Sequence, residues 1–159
     1  MAILAVWIKP YWRAWELKQE WASRGAILSL KQNGTSLWVI DRHKEFDVSS
    51  ISEIPRLEIV CLRAVSDSDL EAIGSCHTIR TIRIENAEIT SDGLKHLIGL
   101  KRLQTLCLLN TKIDDRRVSN ISKMPCLKSL VLAGNAGLSP SGRRAIAQKI
   151  PDLEILDGT

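Results

Sequence analysis

The chain has 159 residues, of which 45% are apolar and 25% are charged, and its net charge is +4 at neutral pH. These values are typical of one globular domain and exclude a disordered or low-complexity protein. Basic and acidic residues are interspersed, so the chain lacks the concentrated basic segment that nucleic-acid binding requires, and we expect no nucleic-acid partner.

The first 54 residues contain every tryptophan of the chain, at positions 7, 12, 15, 21 and 38. Within this segment, residues 11–24 have the spacing of an amphipathic helix. Tyr11, Trp15 and Ala22 fall on one face, which is widened by Leu17, Ala14 and Trp21 on one side and by Trp12 on the other. Gly25 follows, and glycine is the residue that most often ends a helix. The sequence therefore predicts a helix over 11–24 with an aromatic face.

A β-hairpin is predicted directly after this helix. Asn33-Gly34 is a strong hairpin-turn signal, and segments with apolar residues flank it at 26–31 and 36–41. We expect the helix and the hairpin, 26–41, to form an N-terminal cap over residues 1–54, followed by a repeat region over residues 55–159.

The apolar run at 2–8 leaves a second interpretation of the N-terminal segment open. The run is too short to cross a bilayer, which needs about 20 residues, and it has no cleavage site typical of a secretory signal. It would be the end of a transmembrane segment if the chain starts further upstream. Trp7, Trp12 and Trp15 are candidates for contact with a membrane surface or a partner, since tryptophan favours such interfaces.

Residues 55–159 repeat a pattern in which one apolar residue is followed, three and five positions later, by two others. The four copies are Leu57/Val60/Leu62, Ile79/Ile82/Ile84, Leu103/Leu106/Leu108 and Leu127/Leu130/Leu132. Their first residues are 22, 24 and 24 positions apart, and a truncated fifth copy begins at Leu153. This period predicts a leucine-rich repeat solenoid, in which stacked units share one elongated core.

The second half of each unit predicts a helix. Each apolar cluster is followed by a residue that can cap a helix, and then, seven positions later, by an apolar residue. The caps are Ser66, Thr90, Asp114 and Ser139, and the apolar residues are Ile73, Leu97, Ile121 and Ile146. Seven residues are about two helical turns, which brings the side chain back to the same face. We therefore expect an α/β fold, a right-handed solenoid with a parallel concave sheet and a helical convex side.

The segment Cys76-x-x-Ile79-x-x-Ile82-x-Ile84, followed by Ile89-Thr90-x-Asp92-Gly93-Leu94, resembles the cysteine-containing, ribonuclease-inhibitor-like subclass of leucine-rich repeats. The next unit, at Asn110-Thr111-Lys112-Ile113-Asp114, is similar to bacterial members of the planctomycete type. The resemblance covers residues 55–159 and implies a protein-binding function. Ala87 and Asn135 depart from the subclass, because each replaces its usual cysteine.

A second resemblance implies a different function. Residues 14–25 and the closing segment 150–154 are similar to the mitochondrial coupling factor B of ATP synthase. Membership of that group would make the chain a membrane-complex assembly or coupling factor. Substrate receptors of ubiquitin ligases share the repeat type, but no F-box-like segment precedes the repeats in this sequence.

The cysteines predict reduced thiols and no metal site. Cys61 and Cys107 would lie on strands two repeats apart, about 10 Å from each other, which is too far for a disulfide. Cys76 occupies a core position, and the adjacent His77 has no second pair of ligands to complete a metal site. Reduced cysteines favour a reducing compartment. We expect a cytoplasmic monomer that needs no cofactor or metal.

The candidate binding surface is the concave face of the sheet, formed by the strand residues that alternate with the core positions. In chain order it consists of Ile59, Cys61 and Arg63, then Thr81, Arg83 and Glu85, then Thr105, Cys107 and Leu109, then Ser129, Val131 and Ala133. The first two groups carry charge and the last two are small or apolar. An apolar patch beside charged residues is typical of an interaction site, and Arg63 and Arg83 are the expected anchors.

The sequence contains no nucleophile-elbow, phosphate-loop or zinc-protease motif. Its three histidines, His43, His77 and His96, fall in different repeats or loops. We therefore expect no catalytic residues and a non-enzymatic module, a scaffold for protein–protein interaction, that binds its partner through the concave face. The alternative is a factor that docks on a membrane complex through Trp7, Trp12 and Trp15.

Overall fold

A computed structural model describes residues 15–22, 26–31, 34–39, 48–150 and 154–156. The strands described there form one seven-stranded sheet in sequence order. They are β1 Ala26–Lys31, β2 Gly34–Val39, β3 Leu57–Arg63, β4 Thr81–Glu85, β5 Thr105–Leu109, β6 Ser129–Val131 and β7 Glu154–Leu156. The helices are α1 at 15–22, α2 Asp67–Gly74, α3 Ser91–Leu97, α4 Val118–Ile121 and α5 Pro140–Lys149, with a 3-10 helix at Val48–Glu53.

The sheet is parallel from β2 to β7, and only the pair β1–β2 is antiparallel. Parallel strands need a crossover, and α2 to α5 each connect one strand to the next. Val60, Ile82, Leu106 and Leu130 pair in register across the sheet and are fully buried. The predicted apolar helix residues, from Ile73 to Ile146, join the same core. The predicted leucine-rich repeat solenoid is confirmed.

Three of the four predicted helix caps are confirmed. Thr90 and Ser139 accept hydrogen bonds at their side-chain oxygens from the backbone of Asp92 and Gly142, each at 3.1 Å. Ser66 is the cap of α2, where its backbone N–H donates to the Asp69 carboxylate at 2.7 Å.

The prediction for the third unit was wrong, because α4 begins only at Val118 and its cap position is Arg117. Asp114 instead accepts at Oδ1 from the backbone N–H groups of Arg116 and Arg117, at 3.1 and 3.0 Å. These two bonds provide acceptors for the N–H groups of the turn that precedes the helix. This arrangement leaves only four residues for α4 itself.

A left-handed residue follows each of the strands β3 to β6. These residues are Ala64 (φ 50°), Asn86 (φ 50°), Asn110 (φ 52°) and Gly134 (φ 71°). Asparagine and glycine tolerate this conformation, whereas alanine is strained in it. Asn110 also donates through Nδ2 to Asn86 Oδ1 at 3.2 Å, which links two successive turns.

One buried asparagine makes hydrogen bonds with the backbone of the turn between β5 and α4. Asn135, only 3% exposed, accepts at Oδ1 from the Thr111 and Ile113 N–H groups, both at 3.0 Å, and from the Thr111 hydroxyl at 3.1 Å. Its Nδ2 donates to the carbonyls of Leu108 and Ala133 at 2.8 and 3.2 Å. One side chain thus bonds three backbone groups of the preceding repeat, those of Thr111, Ile113 and Leu108, and buried backbone groups need such partners.

Two carboxylates on the convex side also connect neighbouring repeats. Asp67 accepts from the backbone N–H of Thr90 at 3.1 Å and from its hydroxyl at 2.5 Å. Asp115 accepts from the same two groups of Ser139, at 2.9 and 2.6 Å. In both cases the carboxylate of one unit orients the helix cap of the next.

The apolar face predicted for the first helix is confirmed on one side, at Leu17 and Trp21, but not at its centre, Trp15 and Ala22. Leu17 and Trp21 are the residues that α1 buries in the core, whereas Trp15 is 50% exposed and Ala22 is exposed. Leu17 and Trp21 are four residues apart and therefore lie on one stripe, which packs on the core that β1 and the 3-10 helix share. Tyr11, Trp12 and the ends of the predicted helix at 11–14 and 23–24 lie outside the described residues.

The predicted hairpin occurs, but its second strand begins earlier than expected. Lys31 pairs with Gly34, so β2 starts at Gly34 and not at Ser36, and residues 40–41 lie outside the described part. Strand β2 also pairs in parallel with β3. The hairpin therefore extends the same sheet that the repeats form, and a boundary at residue 54 stays a prediction.

The concave face as a candidate binding surface

Apart from Ala133, which lies beyond the end of β6, the predicted surface residues lie in three rows that run across the strands in register. The first row contains Ile59, Thr81, Thr105 and Ser129, the second Cys61, Arg83, Cys107 and Val131, and the third Arg63, Glu85 and Leu109. These positions alternate with fully buried core residues along each strand, so they occupy the opposite face of the sheet. Neighbouring residues in a row are about 4.8 Å apart, the ordinary spacing of hydrogen-bonded strands.

Cys61 does not belong to the accessible part of this surface, contrary to the sequence expectation. It is only 8% exposed, and burial raises the pKa of its thiol to about 11, although Arg83 opposes this shift. Strand β2 pairs with β3 and brings Trp38 into register beside Cys61, so Cys61 lies inside the sheet and not at its edge.

The charged half of the surface is a cluster of two arginines around one glutamate. Arg83 donates through Nε to Glu85 Oε1 at 2.6 Å, and its Nη2 lies 2.6 Å from the same oxygen. Arg63 Nε lies 3.3 Å from Glu85 Oε2, across the pair β3–β4. The hydrogen bond to Glu85 raises the pKa of Arg83, so this guanidinium stays charged.

Both arginines remain accessible within this cluster. Their side chains are 47% and 45% exposed for Arg63 and Arg83. Two positive charges share one negative charge, so the cluster has a net charge of +1. The sequence predicted the arginines as anchors but missed the role of Glu85, which its spacing of 22 residues from Arg63 could have indicated.

The other half of the surface is apolar and partly exposed. It consists of Cys107, Leu109 and Val131, on β5 and β6. Partial burial raises the pKa of the Cys107 thiol, so it stays protonated and behaves as an apolar group. The charged cluster and the apolar patch are therefore adjacent on one continuous sheet.

The N-terminal candidates are only partly placed by the structure. Trp7 and Trp12 lie outside the described residues, and Trp15 is half exposed on α1. Ile27 on β1 is 54% exposed, which the sequence did not indicate. A shallow depression of about 300 Å³ lies beside it, lined by Lys18, Ala22, Ala26, Ile27, Leu28 and Ser29.

The described residues contain no group of three or more His, Cys, Asp or Glu side chains that could hold a metal ion. Cys61, Cys76, Cys107 and Cys126 are free cysteines that form no disulfide in the structure. Within the described ranges, no helix has the length and apolar character needed to cross a bilayer.

No model of a known protein family matches the chain. Among solved structures, the chain is similar to an LRR protein of Leptospira interrogans, with 18% sequence identity and a TM-score of 0.46. The similarity covers 70% of this chain and 34% of that one, so this chain spans about a third of the length of the solved structure. The assignment to the leucine-rich repeat fold therefore rests on the repeat spacing and the parallel sheet.

Proposed function

We propose that the chain is a non-enzymatic protein–protein interaction module that binds its partner through the concave face. The observation that supports this most directly is the position of the Arg63–Glu85–Arg83 cluster beside the apolar residues Cys107, Leu109 and Val131. Apolar area supplies affinity, and an arginine cluster next to it supplies specificity. Arginine is also enriched at protein interfaces, where it forms bidentate bonds with carboxylates.

The surface is prepared for binding before a partner arrives. Glu85 holds both guanidinium groups in place, so their side chains lose less conformational entropy when they bind a partner. The strands below them pack on fully buried residues such as Ile82, Ile84 and Leu106, so the backbone of the surface is rigid. For a preorganised surface of this kind, the free-energy cost of ordering the side chains on binding is lower than for a mobile one.

The same proposal includes a monomer in a reducing compartment such as the cytoplasm. It also includes membership of the ribonuclease-inhibitor-like repeat subclass, of the bacterial type. Free cysteines, such as the four of this chain, are typical of proteins in such a compartment.

The alternative function has its own support. Trp15 and Ile27 are the exposed large apolar residues of the described chain, and both belong to the N-terminal elements α1 and β1. A factor that docks on a membrane complex would use these residues together with Trp7 and Trp12. Exposed tryptophan is favoured at interfaces between an apolar region and water.

The test is a double substitution of the concave face, Arg83→Glu with Cys107→Arg. The tagged chain is expressed in its own host and cross-linked, and the proteins that co-purify from the soluble and membrane fractions are identified. We expect the double substitution to abolish partner recovery, because it reverses the charge of the cluster and places a cation in the apolar patch.

The matched control is Arg102→Glu with Cys126→Arg, the same two changes at exposed positions outside the strands. The control should leave recovery unchanged, and circular dichroism should show that both variants are folded. Full recovery by the folded concave-face variant would place the binding site elsewhere. Recovery with a membrane complex that is lost only on deletion of residues 1–24 would favour the alternative.

A further inference from the structure

We infer that the partner segment is an amphipathic α-helix that lies across β4, β5 and β6, with a carboxylate over Arg83 and apolar side chains over Cys107 and Val131. This inference rests on the proposed function of the concave face, and it specifies the partner's chemistry and secondary structure. The spacing of the rows, their width and the charge of the cluster support it.

The spacing of the middle row matches a helix and not an extended peptide. Arg83, Cys107 and Val131 pair in register on three successive strands, so they are about 4.8 Å apart at each step. A helix repeats one face every turn, about 5.4 Å. An extended chain repeats one face every two residues, about 6.7 Å. From Arg83 to Val131, which is two strand spacings, two helical turns exceed the distance between the residues by about 1 Å. Two repeats of an extended chain exceed it by about 4 Å.

The width of the surface also suits a helix. The first and third rows lie on either side of the middle row, two residues away along each strand, or about 6.7 Å. Three rows therefore span about 13 Å, and a helix with its side chains is about 10–12 Å wide. The outer rows would contact the flanks of the helix, through the hydroxyls of Thr81, Thr105 and Ser129 on one side and through Leu109 on the other.

The charge of the cluster selects an acidic partner. In the described part of the chain, Arg63 contributes only its Nε to an ion pair, so both of its terminal NH₂ groups can still donate. Arg83 uses Nε and one terminal nitrogen, both on a single oxygen of Glu85. A carboxylate that approaches over β4 therefore meets donors in the fork arrangement that arginine offers. The next two strands present no charge in this row, only Cys107 and Val131.

These features define a sequence pattern in the partner. An acidic residue should be separated by three or four positions from one apolar residue and by seven or eight from another, so that all three lie on one helix face. The acidic residue can be at either end of this pattern. The proposed contacts involve side chains only, so they do not fix the direction in which the partner's chain runs.

The test is a selection from a displayed library of random peptides, each long enough for about four helical turns, against the immobilised full chain. We expect the enriched peptides to carry the acidic and apolar residues at this helical spacing. Selection against Arg83→Glu should replace the acidic residue with a basic one, and selection against Val131→Asp should remove only the apolar preference at seven or eight positions. A proline in the middle of an enriched peptide should weaken binding by at least about tenfold.

Several outcomes would overturn the helix inference while preserving the proposed surface. They are enriched peptides with apolar residues at every second position, peptides without an acidic preference that still lose binding on Val131→Asp, or binding that tolerates the central proline. Enriched peptides that are unaffected by both Arg83→Glu and Val131→Asp would overturn the inference and the proposed function together. A selection without enrichment over an uncoated surface would overturn the inference.

Discussion

The carboxylate of Asp67 occupies the space that a side chain at Gly93 would need. A Cβ added at Gly93 would overlap Asp67 Oδ1, the oxygen that accepts from the Thr90 backbone. The same relationship recurs two repeats later, where Asp115 Oδ1 lies against Gly142. A glycine in the first turn of one helix thus makes room for the carboxylate that connects it to the preceding unit.

Gly93→Ala should therefore destabilise the fold. The added methyl group would displace Asp67 and break its two hydrogen bonds to Thr90, at a cost of about 1–3 kcal/mol that exceeds the gain in helix propensity. Urea unfolding followed by circular dichroism measures the change. The matched control is Gly99→Ala, where no atom lies within 4 Å of the added Cβ, and its stability should be unchanged or slightly higher. Equal effects of the two substitutions would contradict the relationship.

Asn135→Ala should be among the most destabilising single changes in the chain. It removes the acceptor for the Thr111 and Ile113 N–H groups and the donor to the Leu108 carbonyl. Unsatisfied buried groups cost about 1–3 kcal/mol each, so we expect a loss of at least about 3 kcal/mol in the free energy of unfolding. Ala136→Ser, an exposed change at the next residue, is the control. A loss of less than about 1 kcal/mol would show that water replaces the amide.

Ala64→Gly should stabilise the protein, because Ala64 has a positive φ of 50° and glycine adopts this conformation without strain. We expect a gain of about 1 kcal/mol, or about 2–4 °C in Tm for a chain of this size. Thermal unfolding measures it. The same substitution within a helix, Ala72→Gly in α2, should lower Tm, because there glycine costs about 1 kcal/mol. A decrease in both variants would contradict the strain at Ala64.

The bond between Asp115 and Ser139 should make stability depend on pH in the acid range. The hydrogen bonds from Ser139 lower the pKa of Asp115 below its usual value of 3.8. The unfolded chain then binds the proton more readily than the folded chain, so this contribution is present above about pH 4 and is lost as the pH falls below it. Unfolding in urea at about pH 5 and about pH 3 should therefore show a smaller decrease in Asp115→Asn than in the original chain. Identical decreases would contradict this assignment.

The sequence predicted those features that depend on residues close to one another in the chain. The apolar positions were found because burial follows their period, and the caps Thr90 and Ser139 were found because each acts within three residues of itself. The α4 start was missed because Asp114 caps a turn at residues 115–117, and the helix itself begins only after this turn, at Val118. Its local signal is the same as that of a true helix cap.

Contacts between residues of separate repeats could not be predicted from such local patterns. The bonds of Asn135 reach back 22 to 27 residues, and the residue itself appeared only as a departure from a repeat subclass. The pairing of β2 beside Cys61 is a second example, because no pattern within β3 indicates which strand lies next to it. Similarly, the helical spacing placed Leu17, Trp21 and Trp15 on one wide apolar face, and only the packing of α1 on its neighbours decides that the first two are buried.

The bonds between repeats follow the 24-residue spacing, as in Asn110–Asn86 and Ser139–Asp115. The residues that make these bonds differ from unit to unit, however. A second copy of residues 103–126 would place an aspartate where Ser139 now donates to Asp115, and a threonine where Asn135 now accepts from Thr111. Lengthening the concave face by one unit would therefore require a hydroxyl cap and a turn asparagine in the inserted copy.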